Sequence, residues 1–169
     1  MKKGLVLILF FYLLALIQTS FLVHFNIEGQ VPNLILIALV LLIFFEKPEE
    51  KFSFLGAGAG GFFLDIFSNV FLGTSIIALL LMTFLFKKLV KIIKGLNILW
   101  LLIFIFLSLM FYNLFSDLLS FLISRDITAI QINLGKVFII KLTYNLILGL
   151  MVFYIISLLK KYVFARKRF

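Results

Sequence analysis

The stretch Gly56–Gly73, GAGAGGFFLDIFSNVFLG, sets one carboxylate, Asp65, into an almost wholly apolar run, one helical turn past a cluster of four glycines. Ionisable side chains are costly in hydrocarbon, so each one at membrane depth implies a role and a partner. Small residues at helical spacing let a second backbone come close. Ala57, Gly61 and Asp65 fall at i, i+4 and i+8 on one helical face, with Gly56 and Gly60 flanking it. Two readings stand side by side: a packing notch inside a helical bundle, or a docking groove for another helix or a ligand with Asp65 as its polar determinant.

Working outward, the chain reads as an integral membrane protein of the all-α class. Of its 169 residues 64% are apolar, and the charges sit in short clusters between long hydrophobic runs. That length leaves no room for a soluble domain beside the bundle, so a single membrane domain is expected over 1–169. The absence of cysteine excludes disulfides and thiolate metal sites. Six spans are expected, at about 4–23, 31–45, 52–68, 70–86, 98–123 and 137–159. The first, fifth and sixth are long enough to cross a ~30 Å hydrocarbon layer, whereas the middle three are short. Segments 52–68 and 70–86 also allow a re-entrant hairpin, tolerated only if buried in protein. Because Gln18-Thr19-Ser20-Phe21 is no small-x-small cleavage site, the first run reads as an uncleaved helix.

Charge placement orients the chain. With a cytoplasmic N-terminus the inner side collects Lys2, Lys3, Lys47, Lys51, Lys87, Lys88, Lys91, Lys94, Lys160, Lys161, Arg166, Lys167 and Arg168, thirteen of the sixteen basic residues. Only Arg125, Lys136 and Lys141 fall elsewhere. The net charge of +9 therefore reads as membrane topology, with both termini inside, and not as a nucleic-acid surface. The clusters KKLVKIIK and KKYVFARKRF interpose apolar residues between cations, which suits topology anchoring, or contact with anionic lipid or a cytoplasmic partner.

Three ionisable residues share a depth in this topology: Asp65, Asp117 and Lys141. Asp117 and Lys141 are the expected buried ion pair, since their spans are consecutive and antiparallel. Asn113, Ser116, Ser120, Tyr144 and Asn145 supply hydrogen-bonding groups nearby. The pair is either a structural clamp, or part of a binding cavity or a proton-coupled site. An aspartyl dyad is disfavoured because no GxGD precedes either aspartate, and a lysine nearby holds a carboxylate ionised. His24 stands alone, without a spaced nucleophile, and scattered acids make no metal cluster. GAGAGG runs on into apolar residues within a span, unlike a nucleotide-binding turn. No catalytic residue, metal or cofactor is expected. Pro32-Asn33 reads as a helix entry, with proline in the first turn.

Taken in order, these signals resemble the MreD family of bacterial rod-shape-determining membrane proteins. The residues that carry the likeness are Val31-Pro32-Asn33-Leu34, the turn Glu46-Lys47-Pro48-Glu49-Glu50-Lys51, then Ala57, Gly61 and Asp65, and Leu72-Gly73. The likeness covers residues 31 to about 86; the last two spans match by hydropathy alone. Asn33 stands where aspartate is commoner, Ala57 where glycine is frequent, and the turn is more acidic than usual. The resemblance implies a polytopic bundle similar to the substrate-binding components of energy-coupling-factor vitamin transporters. It also implies a non-enzymatic scaffold in the inner membrane that binds an MreC-like bitopic protein, alongside MreB-like filaments, a RodA-type glycosyltransferase and a class B penicillin-binding transpeptidase. Gly56, Ala57, Gly60, Gly61, Asp65 and Gly73 are then the expected docking and packing contacts. The alternative is a small-molecule uptake subunit, which calls for an outward cavity lined by aromatic and polar groups. The sparse outer loops, and phenylalanines spread over every span, favour the scaffold.

Overall fold

A computed structural model describes residues 2–47, 49–68, 71–93, 97–124 and 135–166. Pro48, Asn69, Lys94, Arg125, Lys167 and Arg168 therefore lie outside the described residues, as do the side chains of Ser120, Lys160, Lys161 and Arg166. Among the described residues the chain is helical, in the order α1 (Lys2–Leu16), α2 (Leu34–Phe45), α3 (Phe52–Phe67), α4 (Thr74–Ile92), α5 (Ile98–Ser124) and α6 (Lys136–Arg166). Helix α1 continues through a π turn, Ile17–Phe21, and a 3-10 turn, Leu22–Phe25. Thr19 marks that change of winding, its hydroxyl donating to the Ala15 carbonyl at 2.9 Å.

All six expected segments are helices, yet among the described residues three are long and apolar enough to cross a membrane: Lys2–Phe25, Ile98–Leu119 and Lys136–Leu158. Helices α2 and α3, with 12 and 16 residues, rise only about 18 and 24 Å at 1.5 Å per residue. Helix α4 carries Lys87, Lys88 and Lys91 in its final turns, beyond the expected end at 86. The helix entry at Pro32 also shifts. Asn33 is the N-cap, its Oδ1 accepting from the Leu36 amide at 2.9 Å, so Pro32 precedes the helix instead of filling its first turn. The connection into α2 closes with Glu28 and Gly29 both at positive φ, the geometry of a type I′ turn between the bridged residues Ile27 and Gln30.

Helix α2 is the hub. It is apolar all round, and Ile35, Leu36, Ile37, Leu39, Val40, Leu41, Ile43 and Phe44 are all buried. Each of the other five helices packs on it. Around it the neighbours run α1, α3, α4, α5, α6, with α3 and α4 the closest pair. Gly149 brings α6 onto α5, because a Cβ there would collide with Ile105 Cδ1. Among the described residues helices α6 and α1 barely meet, so the ring stays open between them there.

Candidate functional site

The glycine face of α3 is filled from within the chain. A Cβ at Gly56 would meet the Phe11 ring of α1 at 2.8 Å and Leu42 of α2 at 3.2 Å. At Gly60 it would meet Ile35 at 2.7 Å and Phe11 at 3.0 Å. At Gly61 it would strike backbone, 2.6 Å from Ile76 Cα and 2.7 Å from Ile76 N. Ala57 is fully buried beside them. The docking half of the sequence reading is thereby corrected. These small residues let α1, α2 and α4 approach α3, which leaves no groove for an outside helix. The outward side of α3 carries Gly58, where an added Cβ meets nothing within 4 Å.

Asp65, only 3% exposed, closes this packing at one end. Its Oδ2 accepts from the Gly73 amide at 2.7 Å and its Oδ1 from the Ser75 amide at 2.8 Å. Those amides begin α4, where unpaired N–H groups and the helix dipole both favour an anion. Gly73 sits at φ 99°, a conformation open to glycine and strained for other residues. The acid in the last turn of α3 thus caps the next helix. The network continues through Ser75, whose hydroxyl shares a 2.8 Å hydrogen bond with the Tyr112 hydroxyl of α5. Replacing Asp65 by Asn removes one of two good acceptors and sets an amide N–H₂ against a backbone donor. The expected loss is about 1–3 kcal/mol of stability. Unfolding in detergent micelles measures it, and no change would contradict the capping role.

A second knot ties the start of α2 at the same end of the bundle. Gln18 Oε1, from the π turn, accepts from the Leu34 amide at 2.8 Å. Asn145 Oδ1 of α6 accepts from the Asn33 amide at 2.9 Å, while its Nδ2 donates to the Lys141 carbonyl at 2.7 Å. Lys141 Nζ donates to Asn113 Oδ1 of α5 at 2.9 Å. The expected Asp117–Lys141 contact pair is absent among the described ion pairs, which are Lys87–Glu46 and Lys136–Glu28. The two groups feel each other's field without touching, because Asn113, one turn before Asp117, takes the ammonium. Tyr144 turns away from this cluster and donates to the Phe25 carbonyl at 2.9 Å. All six helices thus contribute to one polar belt: Gln18, Asn33, Asp65, Ser75, Tyr112 with Asn113, and Lys141 with Asn145.

The opposite end holds an ion pair that the sequence reading missed. Glu46, the C-cap of α2, accepts from Lys87 Nζ of α4 at 2.9 Å, with side-chain exposures of 1% and 10%. Both Glu46 oxygens also face the Ser53 amide, at 3.2 and 3.3 Å, in the first turn of α3. Lys87 donates further to the Glu50 carbonyl and lies 5.6 Å from the Phe54 ring centroid. A pattern emerges along the chain. Asn33 caps α2, Glu46 at the end of α2 caps α3, and Asp65 at the end of α3 caps α4. An acid near one helix end, followed within ten residues by a new helix start, is the local signal for it. The Lys87 partnership carries no such signal, since 41 residues separate it from Glu46.

The opening between α1 and α6 forms an apolar slot of about 230 Å³. Its floor is Ala38, Leu41 and Leu42 of α2, with Leu7 and Phe10 of α1 on one wall and Val152 and Ile156 of α6 on the other. Phe45 and Leu7 place it toward the Glu46–Lys87 end of the bundle. Among the described residues no group of three or more potential metal-binding side chains converges. Comparison with family models, with curated proteins and with solved structures yields no match.

Proposed function

We propose that the chain is a non-enzymatic membrane scaffold of the bacterial cell-elongation machinery, held in the inner membrane with both termini cytoplasmic. In this reading it binds an MreC-like bitopic partner in company with MreB-like filaments, a RodA-type glycosyltransferase and a class B transpeptidase. The family assignment rests on the resemblance of residues 31–86. The observation that carries the scaffold role is the slot between α1 and α6. Five helices surround α2 and one place in the ring is unfilled. Helices pack 8–10 Å apart, so one further transmembrane segment, laid on Ala38 and Leu42, completes the ring. The polar groups support the same reading. Asp65, Glu46, Asn33 and Asn145 each accept from a backbone amide at a helix start within the chain.

The uptake-subunit alternative needs polar groups converging on a cavity at the outer end. Here the polar belt is tied to itself, and the slot is apolar and lies toward the other end. Because the chain has no cysteine, Val152→Cys installs a unique thiol on the slot wall and Gly58→Cys one on the outward face of α3. Coexpressed with an MreC-like protein bearing single cysteines along its transmembrane segment, the Val152 variant is expected to cross-link and the Gly58 variant is not. Equal cross-linking at both positions, or none at Val152, would refute the slot as docking site. A vitamin that copurifies specifically with the chain would decide for the alternative.

A further inference from the structure

A cleft of about 350 Å³ opens between the start of α3 and the end of α4, lined by Lys51, Lys88 and Lys91 with Phe54 and Phe84 between them. Lys87 also reaches it, but its charge is held by Glu46. Glu49 and Glu50 lie on the rim, and among the described residues neither forms an ion pair with Lys51, Lys88 or Lys91. Three exposed ammonium groups therefore face two exposed carboxylates without being neutralised by contact. Lys88 is pre-positioned, its Nζ 4.3 Å from the Phe84 ring centroid.

The same face of α4 has a second feature. Ile77, Leu81, Phe84, Lys88 and Lys91 follow one another at spacings of four and three, so they form a single stripe. Its apolar members are 47%, 42% and 47% exposed. An uncovered apolar track that ends in paired cations has the polarity of a phospholipid, acyl chains first and phosphate last. Basic pockets between helices at a membrane surface hold such anionic headgroups.

We propose that this cleft binds the phosphate of an anionic glycerophospholipid, with Lys88 and Lys91 as its principal ligands, Lys51 across from them, and the acyl chains lying along Phe84, Leu81 and Ile77. The site requires only that α4 face lipid, and it stands apart from the cell-shape reading. Lys87 does not bind the phosphate. Salt-bridged to Glu46, it keeps the α3 start and α4 end together and so shapes the cleft.

The test uses the full chain in detergent, with phosphatidylglycerol and phosphatidylcholine of identical acyl chains as probes and native mass spectrometry as readout. Retention of phosphatidylglycerol over phosphatidylcholine is expected for the parent chain. Each lysine at an anionic headgroup contributes about fivefold, so Lys88→Gln with Lys91→Gln lowers that retention roughly thirtyfold. Lys88→Arg with Lys91→Arg keeps the charges and is expected to keep most of the binding. Lys2→Gln with Lys3→Gln removes equal charge elsewhere and leaves retention unchanged. Melting in phosphatidylcholine micelles reports the fold, which the Lys88 and Lys91 changes are expected to leave intact, since both side chains are exposed. Undiminished retention in the Lys88/Lys91 glutamine variant, or an equal loss in the Lys2/Lys3 variant, overturns the site. A glycerol 3-phosphate arm separates lipid from soluble phosphate: protection by it equal to that by the lipid overturns the lipid assignment.

Discussion

Gly61→Leu is expected to prevent α3 and α4 from packing, while Gly58→Leu, three residues earlier on the same helix, leaves the fold intact. The contrast follows from what each new side chain meets. At Gly61 even the Cβ falls 2.6–2.9 Å from Ile76 Cα, Ile76 N and Ser75 C, all backbone atoms at the start of α4. A helix backbone cannot step aside as the tip of a side chain can. The α4 start is also held by Asp65 through the Gly73 and Ser75 amides, so any retreat breaks those bonds. Overpacking costs about 1–3 kcal/mol in ordinary cores and more where nothing yields, which makes Gly61 the severe case. At Gly56 and Gly60 the first atoms met belong to Phe11 and Ile35 side chains, so Ala there is expected to be milder. Gly58 meets nothing, and replacing a helical glycine gains up to about 1 kcal/mol. Unfolding titrations of the four variants in micelles give the order. Equal tolerance at Gly61 and Gly58 would contradict the close α3–α4 approach.

Lys87→Met is the second large effect, with an expected loss of about 3–5 kcal/mol. The ammonium is not valuable for its attraction alone, since burying both charges offsets most of that gain. The damage comes from what remains. Glu46, its side chain 1% exposed, is left with only the long bonds to the Ser53 amide to satisfy it. Neutralising both partners tests this logic. The double change Glu46→Gln with Lys87→Met is expected to recover most of the stability, so the coupling in a double-mutant cycle is large. Additive losses would show that the two side chains act separately. Ser53→Ala serves as a control: its hydroxyl has no hydrogen-bond partner among the described residues, and the backbone amide that reaches Glu46 is unchanged.

Much of this architecture was legible in the residues. Hydropathy located all six helices, although α4 and α6 run on to Ile92 and Arg166, past the expected ends at 86 and 159; apolar runs are local properties, and a basic helix end is not marked by them. The special weight of Gly56–Gly73 was legible too, since four glycines and one acid in a helix demand close neighbours. Which neighbours they meet was not. The glycine face was open to reading as an interior notch or an outward groove, and the arrival of Phe11, Ile35 and Ile76 favours the interior. Lys141 shows the same limit. Expected depth matched it to Asp117, but a shift of one turn along the same face of α5 hands it to Asn113.

The amino-acid sequence alone therefore determined where helices form, which stretches suit lipid, and which side chains are too polar to stand unattended there. Each of these depends on residues within a turn or two of one another. Tertiary structure decided the rest: that Asp65 serves the first amides of α4, that Glu46 takes Lys87 from 41 residues away, and that the ring around α2 stays open between α1 and α6. The reason is geometric. A helix offers many faces at similar hydropathy, and only the order and rotation in which helices pack selects the atoms that meet.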